Sequence, residues 1–427
     1  MENYSNIENI IDTAEKEIYL FGNKQKGLEI LSNCIHTKPD DHKLWVKLGN
    51  ANVVNKQLDM AKICYDTALT ISPNSDDALI GLSWYYFEQG KFKKAKELLY
   101  RTIEINQSVG GKFNLSIIYK LNKKYYEGLK LYESRKKSYW LEKHLSSKNL
   151  FLKQLPEFDI NKTKENSRIL LVYEQGYGDI LMYSRYIRIL LERGFKVSFI
   201  CDDKLLKLFL NSEFKNNVEI TANISKLNLN EISSVAYLMS LPFYLYNNNI
   251  FKEPPTNFFT NNDEYKFSRL FDENKINVGI AWSGRSSQPR ELYRSLNYNF
   301  FKYLANNSKI NFYTLHQLNS QEDEIFVKNS NNFIDCRKYI NCFYDTACFV
   351  KNMDFIITTC TSLVHLAGSL NKETYLLLSR VPDYRWGLRG KQHLYKSVQM
   401  IRQKKINDWS YPSTKLKEIL EQKVVKN

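Results

Sequence analysis

The chain has 427 residues, 43% of them hydrophobic and 25% charged, which is ordinary for a folded protein with two or three domains. Its net charge of +15 fits nucleic acid, an acidic membrane surface or an anionic substrate, but the lysines are mixed with acids throughout, which favours a solvated surface over a nucleic-acid partner. The polar N-terminal residues exclude a secretory signal and the most apolar stretch, 236–246, is too short for a membrane span, so we expect a cytoplasmic protein.

Residues 1–142 carry an internal period of about 34 residues, which is typical of tetratricopeptide (TPR) repeats. Asn52 stands where an aromatic residue is usual, but the rest of the clearest unit meets the pattern W-x2-L-G … A-x3-F … P with Trp45, Leu48, Gly49, Ala61, Tyr65, Ala68 and Pro73. Weaker copies cover residues 27–39, 82–102 and 123–135. We therefore predict about four helix pairs with a concave face, which can bind a peptide or another domain or serve as a structural collar.

A connector, residues 143–166, leads into segments that alternate between strand-like and helix-like patterns. We predict helices over 180–193, 204–214 and 362–370, and strands over the apolar runs 168–173, 195–203, 276–284, 310–317 and 353–359. The alternation indicates two Rossmann-like α/β lobes, 167–272 and 273–427. A ligand cleft is expected between the carboxyl ends of their strands.

The motif EQGYGDIL, residues 174–181, joins the first strand to a helix and admits three interpretations. As a dinucleotide loop it lacks the third glycine, although an acidic pair ends the next strand, where a ribose-binding acid would stand. As a tight turn, Gly176 and Gly178 would aim Asp179 into the cleft, where an ionised carboxylate can take a proton from a hydroxyl. As an N-cap, Asp179 would only stabilise its helix.

The second lobe contains a predicted anion site where the strand 353–359 passes into a helix. Thr361 and Ser362 stand at this junction, where free backbone N–H groups and hydroxyls can hold an anion without a metal. The loop after GIAW carries three arginines that together can clamp a diphosphate, although each alone suits a solvated surface: Arg285, Arg290 and Arg294.

No metal site is predicted. The chain has no HExxH, no GxxxxGK[ST] and no paired acidic metal site. Its seven cysteines include no CxxC pair, and Cys336, Cys342 and Cys348 have no histidine at metal-ligand spacing beside them. Reduced thiols therefore fit better than a disulfide or a zinc site.

An ordered set of short motifs resembles the bacterial tetratricopeptide-linked transferases related to the heptosyltransferases and, more distantly, to the O-linked N-acetylglucosamine transferases. The motifs are YESR (132–135), EQGYGD (174–179), SLP (240–242), GIAWSG (279–284), RS (294–295), FYDTA (343–347), TSLVHLAG (361–368), VPDYRWGLRG (381–390) and IRQ (401–403). Each motif is weak alone, but together with the repeats the ordered set covers nearly the whole chain.

The resemblance implies a GT-B fold, with 167–272 as the acceptor side and 273–427 as the nucleotide-sugar side. It also implies inverting, metal-independent transfer from a nucleotide-sugar, without a cofactor. It implies that Asp179 is the base and that Thr361 and Ser362 contact the donor diphosphate. The remaining matched positions are expected to bind the donor: Arg290, Arg294, Cys360, His365 and Trp282, with His316 and Trp386 as base or sugar contacts. His365 suits a packed helix residue equally well.

Cys360 departs from the family, because heptosyltransferases often carry an aspartate there that is expected to touch the donor sugar. The departure argues against heptose as the donor. Two functions stay open. The first is sugar transfer to a hydroxyl of a protein or glycan acceptor presented by the repeats. The second is a repeat-based interaction module whose transferase-like half has lost activity.

Overall fold

The computed structural model of the chain describes residues 2–138, 152, 154–246, 263–284, 290–305, 307–390 and 394–426. They belong to two units, Met1–Ser138 and Tyr139–Asn427. The division lies close to residue 142, where the repeats are expected to end. Within the described ranges, no helix combines the length and the apolar character needed to cross a bilayer.

The first unit is helical. Its described residues form α1 (Glu2–Tyr19), α2 (Lys24–Thr37), α3 (His42–Val54), α4 (Leu58–Ile71), α5 (Asp76–Glu88), α6 (Phe92–Asn106), α7 (Val109–Leu121), α8 (Tyr125–Tyr132) and a closing 3-10 helix, Glu133–Lys137. Each odd-numbered helix packs on the helix that follows it, and each pair packs on the next pair. Neighbouring pairs thus bury each other's apolar faces.

Two glycines, one at the repeat's glycine position and one on the next helix pair, make room for an aromatic ring from the second helix of a pair. A Cβ atom on Gly49 of α3 would lie 2.6 Å from the ring of Tyr65, and one on Gly81 of α5 would lie 2.4 Å from it. Any larger residue at either position would displace this buried ring. Asn52, the departure from the repeat pattern, is buried and donates to the Leu48 carbonyl at 2.9 Å, which satisfies its amide inside the helix.

The first lobe of the second unit is built on a four-stranded parallel sheet. Its strands are β1 (Arg168–Val172), β2 (Lys196–Ile200), β3 (Val218–Thr221) and β4 (Ile232–Tyr237), in the order β3-β2-β1-β4. Its described helices are α9 (Tyr177–Tyr183), α10 (Ile187–Glu192), α11 (Asp203–Leu210) and α12 (Leu241–Tyr244).

The second lobe is built on a six-stranded parallel sheet. Its strands are β5 (Ile276–Ala281), β6 (Ile310–Thr314), β7 (Phe333–Asp335), β8 (Phe355–Thr358), β9 (Thr374–Leu378) and β10 (Val398–Arg402), in the order β10-β9-β8-β5-β6-β7. Its described helices are α13 (Glu291–Arg294), α14 (Tyr298–Phe301), α15 (Gln321–Asn329), α16 (Phe343–Asn352), α17 (Ser362–Ser369) and α18 (Ser410–Lys426).

Burial explains why these strands read as continuous apolar runs. Every residue of β5 is buried, as is every residue of β6, β8 and β9. Trp282 at the end of β5 packs in the same core as Phe301 of α14 and Leu416 of α18. Because all the strands are parallel, their carboxyl ends lie on one edge of each sheet.

The helix predicted over 180–193 is interrupted. A 3-10 turn, Ser184–Tyr186, separates α9 from α10. At this turn the Ser184 hydroxyl donates to the Leu181 carbonyl at 3.0 Å, and Arg185 Nε donates to the Met182 carbonyl at 2.9 Å. Side chains that bond to carbonyls three positions earlier compete with the regular helical pattern. The prediction of one continuous helix was therefore wrong.

Candidate active site

Asp179 lies where β1 passes into α9. The cap position of α9 is Gly176, whose backbone is extended at φ −69° and ψ 167°, and Asp179 is the third residue of the helix. Its backbone N–H donates to the Gly176 carbonyl at 2.9 Å, and its side chain is 16% exposed. The interpretation of Asp179 as the N-cap was therefore wrong. A carboxylate in the first turn remains favoured by the helix N-terminus.

Gly178 brings the two lobes together. Neither Gly176 nor Gly178 is among the glycines with positive φ, so neither needs the left-handed backbone that favours glycine. The tight turn that aims Asp179 into the cleft stays a prediction. A Cβ atom on Gly178 would lie 3.1 Å from His365 Cδ2 and 3.5 Å from Ser362 Cα, both on α17. The glycine therefore permits α9 of the first lobe to approach the N-terminus of α17 in the second.

Arg385 of the second lobe pairs with Asp179 across this contact. Its Nη2 bonds to Asp179 Oδ1, and its Nη1 lies 2.7 Å from Asp383 Oδ1. The Arg385 side chain is 11% exposed, and its guanidinium lies 4.6 Å from the centroid of the Tyr384 ring. Arg385 lies within the motif VPDYRWGLRG but was not among the site residues predicted from the sequence. No spacing signal could reveal a partner on the other lobe.

The segment 383–386 is anchored in both lobes. Its residues Tyr384–Trp386 form a 3-10 helix capped by Asp383, which accepts from the Arg385 backbone N–H at 3.1 Å. The hydroxyls of Tyr384 and Tyr183 lie 2.9 Å apart. Trp386 Nε1 donates to Cys360 Sγ at 3.1 Å within the second lobe. One short turn therefore connects Asp179 to the buried centre of the second lobe.

Cys360 and His365 are both uncharged at neutral pH. Burial raises the pKa of the Cys360 thiol to about 11, so this position supplies no carboxylate-like charge. Burial lowers the pKa of His365 to about 3. The ring of His365 stacks on Trp386 with centroids 5.6 Å apart, and its Nδ1 lies 3.0 Å from the Tyr395 hydroxyl. The structure thus places His365 as a packed residue behind Gly178, and its expected donor contact stays a prediction.

The predicted anion turn lies directly beside this contact. Thr361 caps α17 by accepting from the Leu363 backbone N–H at 3.3 Å, and its hydroxyl lies 3.1 Å from that of Thr358. Ser362 follows as the first helical residue and is partly exposed. The turn can therefore offer backbone N–H groups and a hydroxyl to an anion.

The predicted arginine clamp divides into different roles. Arg290 donates to the Val381 and Pro382 carbonyls at 2.8 and 3.1 Å, so it supports the chain leading to the segment 383–386. Arg294 Nε donates to Glu291 Oε2 at 2.8 Å, and its side chain keeps 25% exposure. Arg285 lies outside the described residues.

Glu291 organises the loop around Arg294. Its buried carboxylate also accepts from the Gly284 backbone N–H and from the Ser295 hydroxyl. A Cβ atom on Gly284 would lie 3.1 Å from Arg294 Nη2, so the glycine leaves room for the pair. Sequence reasoning missed Glu291, although its position three residues before Arg294 suits an ion pair within one helical turn.

Buried polar atoms line the carboxyl edge of the second sheet. Within the described residues, the following atoms have no hydrogen-bond partner: Trp282 Nε1, Ser283 Oγ, Thr359 Oγ1, Arg402 Nη1 and Gln403 Nε2. We call these the carboxyl-edge donors. Buried polar groups are normally paired with protein, ligand or water. They stand at the ends of β5, β8 and β10, and β10 is three strand spacings, about 14 Å, from β5. This span suits an extended polar ligand.

Of the carboxyl-edge donors, only Trp282 was selected from the sequence. Ser283, Thr359, Arg402 and Gln403 were not, although the motif IRQ contains the last two. Arg402 donates through Nη2 to the Trp386 carbonyl at 3.3 Å. Burial lowers its pKa to about 10, so it stays cationic at neutral pH. Gln403 Oε1 accepts from the Arg380 backbone N–H at 3.0 Å. Arg402 is the last residue of β10, and Gln403 follows it directly.

Trp282 and His316 lie side by side after the ends of β5 and β6. Trp282 is fully buried and its ring centroid is 4.4 Å from that of His316. Burial lowers the pKa of His316 to about 3, so its imidazole is neutral. Their expected contacts with donor, base or sugar stay predictions.

A cavity of about 540 Å³ shares no residue with this site and is lined by Lys266, Phe267, Ser268, Arg269, Leu270 and Tyr339. In the part of the chain that the structure describes, no three His, Cys, Asp or Glu residues lie together in a way that could hold a metal ion.

Comparison with known proteins finds no matching family model and no matching curated protein. Among solved structures, the chain is similar to the E. coli ADP-heptose LPS heptosyltransferase II, at 10% identity and a TM-score of 0.44, over 60% of this chain and 99% of that one. A glycosyl transferase of family 9 from Veillonella parvula matches at 11% identity and a TM-score of 0.44, over 62% and 98%. A mutant O-GlcNAc transferase of Thermobaculum terrenum matches at 10% identity and a TM-score of 0.36, over 100% of this chain and 94% of that one. The first and third belong to the classes that the sequence resembles.

Proposed function

We propose that the chain is a glycosyltransferase that moves a sugar from a nucleotide-sugar to a hydroxyl of a protein or glycan acceptor. One observation carries the proposal. A carboxylate on the first lobe, Asp179, lies at the contact with the anion turn Thr361–Ser362 of the second lobe, whose sheet edge holds the carboxyl-edge donors. A base and an extended anion site on opposite lobes suit group transfer from an activated donor.

The residues suggest a single displacement. Asp179 takes the proton of the acceptor hydroxyl while the acceptor oxygen bonds to the anomeric carbon and the bond to the diphosphate breaks. The leaving diphosphate keeps the electron pair of that bond. Arg402, Arg294 and the turn at Ser362 then stabilise its negative charge without a metal. Attack opposite the leaving group inverts the anomeric centre, as the sequence resemblance implies.

We further interpret the two parallel sheets as the two Rossmann-like lobes of a GT-B fold and the helix pairs as tetratricopeptide repeats. The close fit of Tyr65 against Gly49 supports the repeat assignment, because it explains why the pattern requires glycine at that position. In this proposal the concave face of the repeats binds the acceptor.

The alternative is an interaction module with an inactive transferase-like half. Cys360 favours it, because a neutral thiol bonded to Trp386 stands where heptosyltransferases often carry an aspartate. This alternative predicts donor binding without transfer or hydrolysis.

A thermal-shift screen tests donor binding. The purified chain is heated with ADP, UDP, GDP and their common nucleotide-sugars in the presence of EDTA. A ligand at a hundred times its dissociation constant stabilises the folded state by about 2.7 kcal/mol. We expect one base family to raise the melting temperature. Because a charge-assisted hydrogen bond contributes about 1.5–3 kcal/mol, Arg402→Gln should weaken that binding at least tenfold.

Arg389→Gln is the matched control for this screen, because Arg389 is an exposed arginine outside the site. The nucleotide should raise the melting temperature of Arg389→Gln by as much as it raises that of the unaltered chain. The proposal is contradicted if no nucleotide changes the melting temperature, or if binding requires a divalent metal.

A further inference from the structure

We propose that Arg385 is a positioning residue for Asp179, which holds one oxygen of the carboxylate and turns the other toward the acceptor hydroxyl. The inference rests on the proposed function and deepens it. It also assigns Arg385 the task of keeping Asp179 ionised when the two lobes are in contact.

The geometry of the ion pair carries the first step. Arg385 Nη2 bonds to Asp179 Oδ1, whereas the atom nearest to a Cβ built on Gly176 is Asp179 Oδ2, at 3.9 Å. Oδ2 therefore lies on the side of the loop that precedes α9. A base needs one oxygen with an available lone pair, and Oδ2 is the carboxylate oxygen opposite the one paired with Arg385 Nη2.

The second step is that Arg385 is itself fixed. Its other terminal nitrogen is held by Asp383 at 2.7 Å, and its backbone N–H is held by the same carboxylate at 3.1 Å. Tyr384 and Trp386 on either side bond to Tyr183 and Cys360. A guanidinium held by two carboxylates keeps a defined orientation, since its planar donors pair in fixed directions.

Arg385 is a cation that acts on Asp179 directly, through the ion pair. His365 on α17 is neutral because burial lowers its pKa to about 3. Arg185, in the turn after α9, donates to the Met182 and Leu394 carbonyls. Among the described residues, the titratable and charged groups on the elements packed against Asp179 are Glu174, Tyr177, Tyr183, Arg185, Tyr186, His365, Asp383, Tyr384 and Arg385.

The proton balance follows from this arrangement. As the acceptor attacks, its proton moves to Asp179 Oδ2, and Arg385 keeps its own protons throughout. An adjacent cation favours the ionised carboxylate, so removal of the guanidinium shifts protonation of Asp179 to higher pH. Activity that requires the carboxylate must then decline at a higher pH on the acid side.

Three variants test the inference: Arg385→Gln, Arg385→Lys and the control Arg389→Gln. The first readout is the Cγ resonance of Asp179, followed by NMR from pH 3 to 8 in chain labelled with ¹³C-aspartate and assigned with Asp179→Asn. We expect the midpoint pH of the Asp179 titration to rise by about one pH unit or more in Arg385→Gln. In Arg385→Lys it should lie between that value and the midpoint of the unaltered chain, and in Arg389→Gln it should equal the midpoint of the unaltered chain.

The second readout is release of nucleoside diphosphate from UDP-, GDP- and ADP-sugars as a function of pH. Arg385→Gln should lower turnover about 100-fold through misplacement of the base, and should move the acid limb of the profile to higher pH. A folded Arg385→Gln chain whose Asp179 titration and acid limb match the control would overturn the inference. If the unaltered chain releases no diphosphate from any donor, the proposed function fails, while the NMR titration still decides whether Arg385 controls the charge of Asp179.

Discussion

At the scale of single residues, Cys360 is a buried, uncharged side chain that is hydrogen-bonded to Trp386. Its sulfur accepts the Trp386 indole N–H at 3.1 Å, and burial keeps the thiol protonated. From the sequence alone, Cys360 is a departure from the transferases that the chain resembles. The structure adds that the thiol helps to hold the turn that carries Arg385.

Substitution of the two buried tryptophans tests this bond. Trp386→Phe removes an N–H donor that is paired with Cys360, whereas Trp282→Phe removes one that has no partner among the described residues. Both changes remove similar ring volume. Because one hydrogen bond contributes about 1 kcal/mol, Trp386→Phe should lower the free energy of unfolding by about that much more than Trp282→Phe in urea denaturation. Equal losses would show that the Cys360–Trp386 bond contributes nothing.

At the scale of elements, the approach of α9 to α17 depends on a missing side chain. Gly178 lies against His365, which is held in turn by Tyr395 and stacked on Trp386. A ring fixed on two sides cannot move easily to accept a methyl group. The glycine loop is therefore a contact between lobes, which explains why its two glycines have ordinary backbone angles.

A pair of alanine substitutions separates the two glycines. Gly178→Ala places Cβ 3.1 Å from His365 Cδ2 and should lower the free energy of unfolding by about 1–3 kcal/mol through overpacking. In Gly176→Ala, the atom nearest to the new Cβ is Asp179 Oδ2, at 3.9 Å. This substitution should change the free energy of unfolding by less than about 1 kcal/mol. Urea denaturation of both variants decides the matter, and an equal effect would mean that close approach does not depend on Gly178.

The elements themselves could be predicted well from the sequence where packing is local. Buried parallel strands produce apolar runs, so β1, β5 and β8 fall inside the predicted segments. The 3-10 turn at Ser184–Tyr186 could not be predicted from apolar spacing, because side-chain bonds to carbonyls cause it. Helix periodicity does not register such bonds.

At the scale of the whole molecule, sequence patterns indicated a boundary near residue 142 and a set of candidate site residues, but not the contacts between lobes. Tyr183 and Tyr384 are 201 positions apart and still share a hydrogen bond. Arg385 and Glu291 were missed because their partners, Asp179 and the Gly284 backbone, are recognisable only in the folded chain. Arg402 was missed because only burial at the sheet edge distinguishes it from a surface arginine.

The central claim is that Asp179 is the base for sugar transfer, and Asp179→Asn tests it most directly. Asparagine keeps the shape of the side chain but cannot accept the acceptor proton, and Asp383 still holds Arg385. With the nucleotide-sugar that stabilises the unaltered chain, Asp179→Asn should keep its thermal shift while turnover falls about 100- to 10,000-fold. Turnover equal to that of the unaltered chain would contradict the account.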